Sequence, residues 1–149
     1  MSYMFSHSKF TGDISKWNVS RVKNFASMFS NTNFNGDLSN WDTSQARNFC
    51  AMFEYSKFNG DISRWNTSKV EDMTSMFYGN RDFNQYIGDW DVSKVEWINS
   101  MFYSATSFNQ DISNWDWSKI GTSVGVFFDC PIRQEYMPKN YKYDPEILA

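Results

Sequence analysis

The order of apolar and polar residues repeats along the chain with a period of 24 or 25 residues. One copy of the repeat runs from Phe58 to Phe77 and reads FNGDISRWNTSKVEDMTSMF. A tryptophan marks the same position in five successive copies: Trp17, Trp41, Trp65, Trp90 and Trp115. Met-Phe pairs recur at the same interval, and Val126-Phe127 stands in the last place. Self-similarity with a period in the twenties predicts a solenoid, in which each unit packs only on its neighbours.

Each unit contains the signals of a turn, a strand and a helix. Asn35-Gly36 is a turn signal, because both residues tolerate positive φ. Trp41 and Thr43 are two residues apart, which is the spacing of inward positions on a strand, so Asp42 between them should face outward. The apolar residues 70, 73, 76 and 77 have helical spacing. Ser68 with Glu71 three residues later forms the pattern of a capping box at a helix start.

The predicted fold is therefore α/β, a leucine-rich-repeat-like solenoid. It has about five turn–strand–helix units of 24–25 residues, with parallel strands stacked at about 4.8 Å. The repeat domain spans residues 1–129, and its first unit is incomplete. Residues 130–149 contain all three prolines, namely Pro131, Pro138 and Pro145, and are predicted to form a C-terminal cap or a tail. Tyr136, Met137, Tyr141 and Tyr143 are the side chains that would cover the last unit.

Two columns of equivalent residues are predicted to hold the stack together. The tryptophans form a buried column, and the asparagine that follows the first phenylalanine of each unit forms a polar one: Asn35, Asn59, Asn84 and Asn109. A third column is acidic and consists of Asp13, Asp37, Asp61 and Asp111. These carboxylates are expected to accept backbone N–H groups of their own turn. Calcium ligation is the alternative, but each unit lacks the glycine-rich calcium turn of other repeat proteins.

The repeat resembles a known family of surface proteins. Residues 108–116 read FNQDISNWD and residues 68–77 read SKVEDMTSMF, and both phrases are similar to BspA-like repeats of the mycoplasma-lipoprotein type. The resemblance covers roughly residues 1–128. It implies a leucine-rich-repeat-like fold on a bacterial, protist or viral surface, acting as an adhesin or binding module. It brings no catalytic residues with it.

Composition and charge narrow the classes of function. The net charge of −3 argues against a nucleic-acid-binding surface, and no apolar run approaches the roughly 20 residues of a membrane span. The N-terminus shows no signal peptide. His7 is the sole histidine, so no catalytic triad and no His/Cys metal cluster can be assembled with it. We expect neither enzyme activity nor a cofactor, and we expect Cys50 and Cys130 to be free thiols three units apart.

Candidate binding residues are those that vary while the scaffold repeats. The outer face of the predicted strand varies at one position of each unit: Lys16, Asn40, Arg64, Asp89 and Asn114. Exposed aromatic residues form a second set: Tyr78, Tyr86, Trp97 and Tyr103. Such rings can stack on sugars or anchor a protein interface. The alternatives are a merely solvated face for the first set, and contacts with a neighbouring subunit or the cap for the second.

The sequence thus favours a non-enzymatic binding or adhesion module of a surface or virion protein. Its ligand would be a protein or a glycan, bound on the variable face. The alternative is a structural spacer that associates through its open N-terminal unit, because residues 1–5 align with residues 25–29 and so begin within a repeat. In that case the chain would associate with itself or belong to a longer assembly.

Overall fold

A computed structural model describes residues 1–121 and 123–142, and within them the repeats stack in register. Each repeat forms one layer of the stack, which we call a rung. The one helix in the described residues is a 3-10 helix, Gln134–Tyr136, and no extended strand is present there. Isolated parallel bridges join Asn24 to Asn48, Asn48 to Asp72 and Asp72 to Trp97. The predicted α/β leucine-rich-repeat-like solenoid of parallel strands and helices is therefore wrong, because the rungs consist of turns.

Consecutive tight turns take the place of the predicted helix. In the third rung the N–H groups of Met76, Tyr78 and Asn80 bond to carbonyls three residues earlier, at 3.0–3.2 Å. The N–H groups between them bond instead to the next rung at 2.7–2.9 Å: Met73 to Trp97, Ser75 to Asn99, Phe77 to Met101, and Gly79 to Tyr103. Ser75 and Gly79 have φ of 55° and 65°. These left-handed residues exclude a right-handed helix.

The helical spacing was misleading because tight turns bury residues at similar intervals. Val70, Met73, Met76 and Phe77 are all fully buried, so their inward direction is as expected. The capping box, however, does not form. The Ser68 hydroxyl donates to Asn66 Oδ1 at 2.6 Å, and Glu71 pairs with Arg47 of the preceding rung at 3.1 Å.

The predicted strand around each tryptophan is also a turn. Trp41 N–H bonds to the Leu38 carbonyl at 3.2 Å, which closes a four-residue turn instead of pairing with a neighbouring strand. Trp41 and Thr43 are buried and Asp42 between them is exposed. The Thr43 hydroxyl donates to the Asn66 carbonyl of the next rung at 3.0 Å. Alternating burial is therefore present here without a strand ladder.

Tryptophan side chains connect the rungs through both stacking and hydrogen bonds. The rings of Trp41, Trp65, Trp90 and Trp115 stack with centroids 6.3–6.5 Å apart and planes within 1–6°. Each of these indole N–H groups donates to a carbonyl of the preceding rung at 2.9–3.0 Å, the acceptors being Ile14, Leu38, Ile62 and Ile87. Trp17 in the first rung is only partly buried and packs on Phe5.

Phenylalanines fill the rest of the interior. One column contains Phe34, Phe58, Phe83 and Phe108, with centroids 6.1–6.4 Å apart. A second contains Phe29, Phe53, Phe77, Phe102 and Phe127, at 5.6–5.8 Å. The two columns meet face to face where one repeat passes into the next, for example at 4.0 Å between Phe77 and Phe83. The core is therefore one continuous aromatic stack.

The asparagine column lies at the edge of this core and connects the rungs from outside. The side-chain oxygens of Asn35, Asn59, Asn84 and Asn109 each accept the backbone N–H of the equivalent residue one rung later, at 2.9 Å. The last of these donors is Arg133, so the repeat register continues beyond residue 129. Tyr141 then packs edge-on against Trp117 and Phe127. Tyr143 and Pro145 of the predicted cap or tail lie outside the described residues.

Short polar turns close each rung, and they use an Asx residue, that is, aspartate or asparagine. The Asx side chain accepts the N–H two residues later, as in Asp13 to Ser15 and Asp42 to Ser44 at 2.9–3.0 Å. Hydrogen bonds from the serines lower the pKa of seven such carboxyls: Asp13, Asp37, Asp42, Asp61, Asp91, Asp111 and Asp116. The ionised carboxylates are thus stabilised in the folded protein relative to the unfolded chain.

These carboxyls predict a loss of stability in acid. A lowered folded pKa stabilises the fold above the unfolded pKa, and that contribution disappears as the pH falls through the aspartate range, below about 4. The double variant Asp42→Asn/Asp116→Asn should lose less stability than the wild type between pH 7 and pH 3. Asparagine already occupies this column at Asn18 and Asn66, so the variant should fold. Urea unfolding at the two pH values measures the difference, and equal losses in both proteins would contradict the explanation.

The tryptophan column predicts a large penalty at its centre. Trp65→Ala removes a buried ring stacked between Trp41 and Trp90, and leaves a cavity. We expect a loss of roughly 3–5 kcal/mol in the free energy of unfolding. Asn18→Asp is the matched control, since aspartate serves the same turn in other rungs, and it should change stability by less than about 0.5 kcal/mol. Urea titrations in which both variants lost similar stability would argue against the tryptophan column as the main inter-rung contact.

Candidate functional site

The structure places the five variable residues of the first candidate set in one exposed column. In each rung the variable residue occupies the third position of the turn that ends at the tryptophan. These residues are Lys16, Asn40, Arg64, Asp89 and Asn114. Their side chains are exposed. They were expected on the face of a strand, and they lie instead at the corners of successive turns. The column is a variable edge of the stack.

Tyr86 replaces the aspartate of the acidic column in the fourth rung. Its hydroxyl donates to Asp89 Oδ1 at 3.2 Å, so these two candidates from different sets lie together. Partial desolvation and this hydrogen bond raise the pKa of Tyr86. The ring covers Gly88, where a Cβ atom would collide with it and with the Asp111 carbonyl oxygen. Tyr86 is nevertheless 42% exposed, so one side of its ring faces solvent.

Trp97 replaces an Asx residue in the same rung. Equivalent positions in the earlier rungs are Asn24, Asn48 and Asp72, and their side-chain oxygens accept the N–H two residues later at 2.7–2.9 Å. Tryptophan offers no acceptor, and the Asn99 N–H finds no partner among the described residues. The indole is 49% exposed. This substitution therefore removes a backbone cap and leaves a large apolar ring in solvent.

A groove of about 540 Å³ lies beside Trp97 and is lined by charged residues. Lys94, Lys119 and Glu96 are among its lining residues, and the two lysines belong to a mostly basic column: Arg21, Gln45, Lys69, Lys94 and Lys119. Glu71 also lines the groove, and its carboxylate is paired with Arg47 at 3.1 Å. We call this site the Trp97 groove. It combines an exposed aromatic ring with two ammonium groups.

Tyr78 and Tyr103 lie elsewhere, in a surface stripe of four aromatic rings in contact. Their centroids are 4.8 Å apart; Tyr55 extends the stripe at one end by an edge contact of 5.4 Å, and Phe128 extends it at the other at 4.7 Å. Sequence reasoning missed Tyr55 and Phe128, although Phe128 stands at the repeat position of Tyr78 and Tyr103. Because the rings cover one another's faces, the inner two present mainly edges to solvent. That geometry suits apolar contact better than stacking on a sugar.

The described residues hold little that suggests catalysis or metal binding. No group of three His, Cys, Asp or Glu side chains there is placed to hold a metal ion. Cys50 and Cys130 are free, and burial raises the pKa of each thiol to about 11, so neither is a reactive thiolate at neutral pH. No helix in the described part of the chain is long and apolar enough to cross a membrane.

Comparison with known proteins identifies the family. The profile of a family described as "Mycoplasma protein of unknown function, DUF285" matches residues 1–57 and 33–139. The chain belongs to the DUF285 family. The two DUF285 matches overlap and together cover the stacked rungs, and the description names neither leucine-rich repeats nor BspA. No curated protein and no solved structure matches the chain.

The missing cap at Trp97 generates a stability prediction. Trp97→Asp restores the residue found one rung earlier, so its carboxylate should accept the Asn99 N–H. We expect the free energy of unfolding to rise by about 0.5–1.5 kcal/mol, the net value of one hydrogen bond. Thermal or urea unfolding measures the change. Trp97→Ala, which removes the ring without restoring the acceptor, is the control and should not stabilise. A clear loss of stability in Trp97→Asp would show that the indole supports the fold.

Proposed function

We propose that this DUF285 chain is a non-enzymatic binding module that recognises a protein or a glycan through the Trp97 groove. The observation that carries the proposal is the departure of the fourth rung from the repeat. Trp97 gives up a turn-capping acceptor and exposes nearly half of an indole, and neither change benefits the fold. Contact with a ligand is a physical reason for such a substitution, because an exposed aromatic ring gains most when it is covered.

Neighbouring features support binding rather than chemistry. Lys94 and Lys119 place two cations beside the indole, and Ser93 adds a hydroxyl. These groups recognise a ligand through charge and hydrogen bonds, but they provide no activated nucleophile. Tyr86, in the same rung, is a second exposed ring at a position that carries aspartate elsewhere. The fourth rung therefore concentrates the aromatic departures from the repeat.

The resemblance of residues 68–77 and 108–116 to BspA-like surface repeats supports the same proposal. This resemblance implies that the chain is located on a cell surface, outside the cell or on a virion. Adhesion would require a rigid scaffold that tolerates surface variation. Rungs connected by buried aromatic columns supply that scaffold while their turn corners remain free to differ.

A second candidate function is assembly through the first rung. Its surface includes Tyr3, 66% exposed, and Met4, 51% exposed, while Phe5, Phe10 and Trp17 are only partly buried. Such a layer can be covered by another chain, which would make the protein a spacer or assembly segment. This candidate predicts self-association rather than ligand recognition.

Parallel glycan and protein arrays test the main proposal. The wild-type chain should bind a restricted set of ligands, and Trp97→Asp should lose that binding while keeping its fold. Asn24→Asp, a change in the same column three rungs away, is the matched control and should bind as the wild type does. Binding that survives in Trp97→Asp would refute the Trp97 groove as the site. Blank arrays with a concentration-dependent oligomer in sedimentation would favour assembly instead.

A further inference from the structure

We propose that the Trp97 groove takes an acidic saccharide, with the sugar ring against the exposed indole and its carboxylate between Lys94 and Lys119. This inference rests on the proposed binding function and specifies the ligand's chemical class. It depends on three properties of the groove: two lysines without an ion-pair partner, an indole N–H without an acceptor, and an exposed aromatic ring.

The two cations in the groove are available to a ligand. Lys94 and Lys119 interact electrostatically with Asp91 and Asp116, but neither forms a close ion pair within the described residues. One rung earlier in the same column, Lys69 Nζ donates to Gln45 Oε1 at 3.1 Å, so its ammonium group is already engaged. The lysines at the rungs that border the groove therefore lack the side-chain hydrogen bond that Lys69 forms.

One of the two carboxylates in the wall of the groove is paired with an arginine. Glu71 Oε1 accepts from Arg47 Nη1 of the preceding rung at 3.1 Å, so this carboxylate competes less for the lysines. Glu96 remains as an exposed acceptor, and sugar hydroxyl groups can donate to it. The groove thus favours a negatively charged ligand that also carries hydroxyl groups.

Two hydrogen-bond donors at and near Trp97 have no acceptor among the described residues, although Glu71, Glu96 and Ser93 supply acceptors to the groove. Four buried indole N–H groups in the stack donate to carbonyls, whereas Trp97 Nε1 has no acceptor among the described residues. The Asn99 N–H two residues later is also unsatisfied there. A ligand rich in oxygen acceptors complements this set.

The indole has an open surface of the kind that sugar rings use. No aromatic ring of the described residues stacks on Trp97, in contrast to the surface stripe, where Tyr78 and Tyr103 cover one another. The groove volume of about 540 Å³ lies within the range of small-ligand sites, roughly 300–1,000 Å³. A mono- or disaccharide is therefore a reasonable occupant by size.

Nuclear magnetic resonance of the indole N–H groups tests the proposal on the whole chain. The probes are digalacturonic acid and its methyl ester, which differ in charge but not in ring structure. Digalacturonic acid should shift the Trp97 signal, which the Trp97→Asp variant identifies by its absence. The signals of Trp41, Trp65, Trp90 and Trp115 should stay in place, because those indoles are buried. Added salt should weaken binding of the acid more than that of the ester.

Substitutions of the lysines separate charge from stacking. Lys94→Gln and Lys119→Gln should each weaken binding of the acid about two- to five-fold, as expected for exposed ion pairs. Lys69→Gln is the matched control and should leave the affinity unchanged.

The outcomes distinguish this inference from the proposed function. Equal affinities for acid and ester, or lysine variants that bind normally, would overturn the acidic class and leave the Trp97 groove as a binding site. A Trp97 signal unmoved by either probe, with Trp97-dependent binding of a protein on the arrays, would overturn the saccharide class. If the wild-type chain bound no ligand on either array, the proposed function itself would be refuted.

Discussion

The whole structure depends on hydrogen bonds between successive rungs. A rung made of turns cannot satisfy its own backbone, since alternate N–H groups of the Met-Phe segment point along the stack and bond to the next rung. Tryptophan indoles and asparagine side chains add further bonds in the same direction. A rung is therefore stable only between neighbours, and the aromatic columns keep these bonds away from water. Register follows from the same constraint, because a shift of one residue would misalign every column.

The sequence predicts the layering of this protein better than its local backbone. Buried and exposed positions around Trp41 and Phe77 follow the repeat because every rung places equivalent residues inward. The backbone between them could not be derived in the same way. Inward steps of three residues arise from a helix or from successive turns, and Ser68 before Glu71 fits a helix cap or an Asx turn. The decisive feature is positive φ at Ser75 and its equivalents Ser27, Ala51 and Ser100, where serine or alanine gives no compositional signal.

The candidate site, too, could be predicted from the sequence only in part. Trp97 and Tyr86 can be recognised from sequence, because each replaces an Asx residue that every earlier copy retains. The groove could not be predicted, since it depends on which carboxylate Arg47 engages and on which lysines remain free. Only two of the four rings in the surface stripe, Tyr78 and Tyr103, were identified from the sequence. Tyr55 belongs to a different repeat position and reaches Tyr78 across Gly79, a contact that depends on the absence of a side chain there.

Redundancy of the stack explains why binding residues can arise at cap positions. Each rung has several Asx turns, and the inter-rung hydrogen bonds at the positions of Asp72 and Trp97 use backbone atoms, so they do not require the Asx side chain. Losing a single cap therefore weakens one corner by roughly 1 kcal/mol and leaves the columns intact. A core position offers no such freedom, because a substitution there disturbs the rings above and below. Cap corners combine exposure, a defined backbone and a small penalty for change, and the fourth rung uses two of them for aromatic rings.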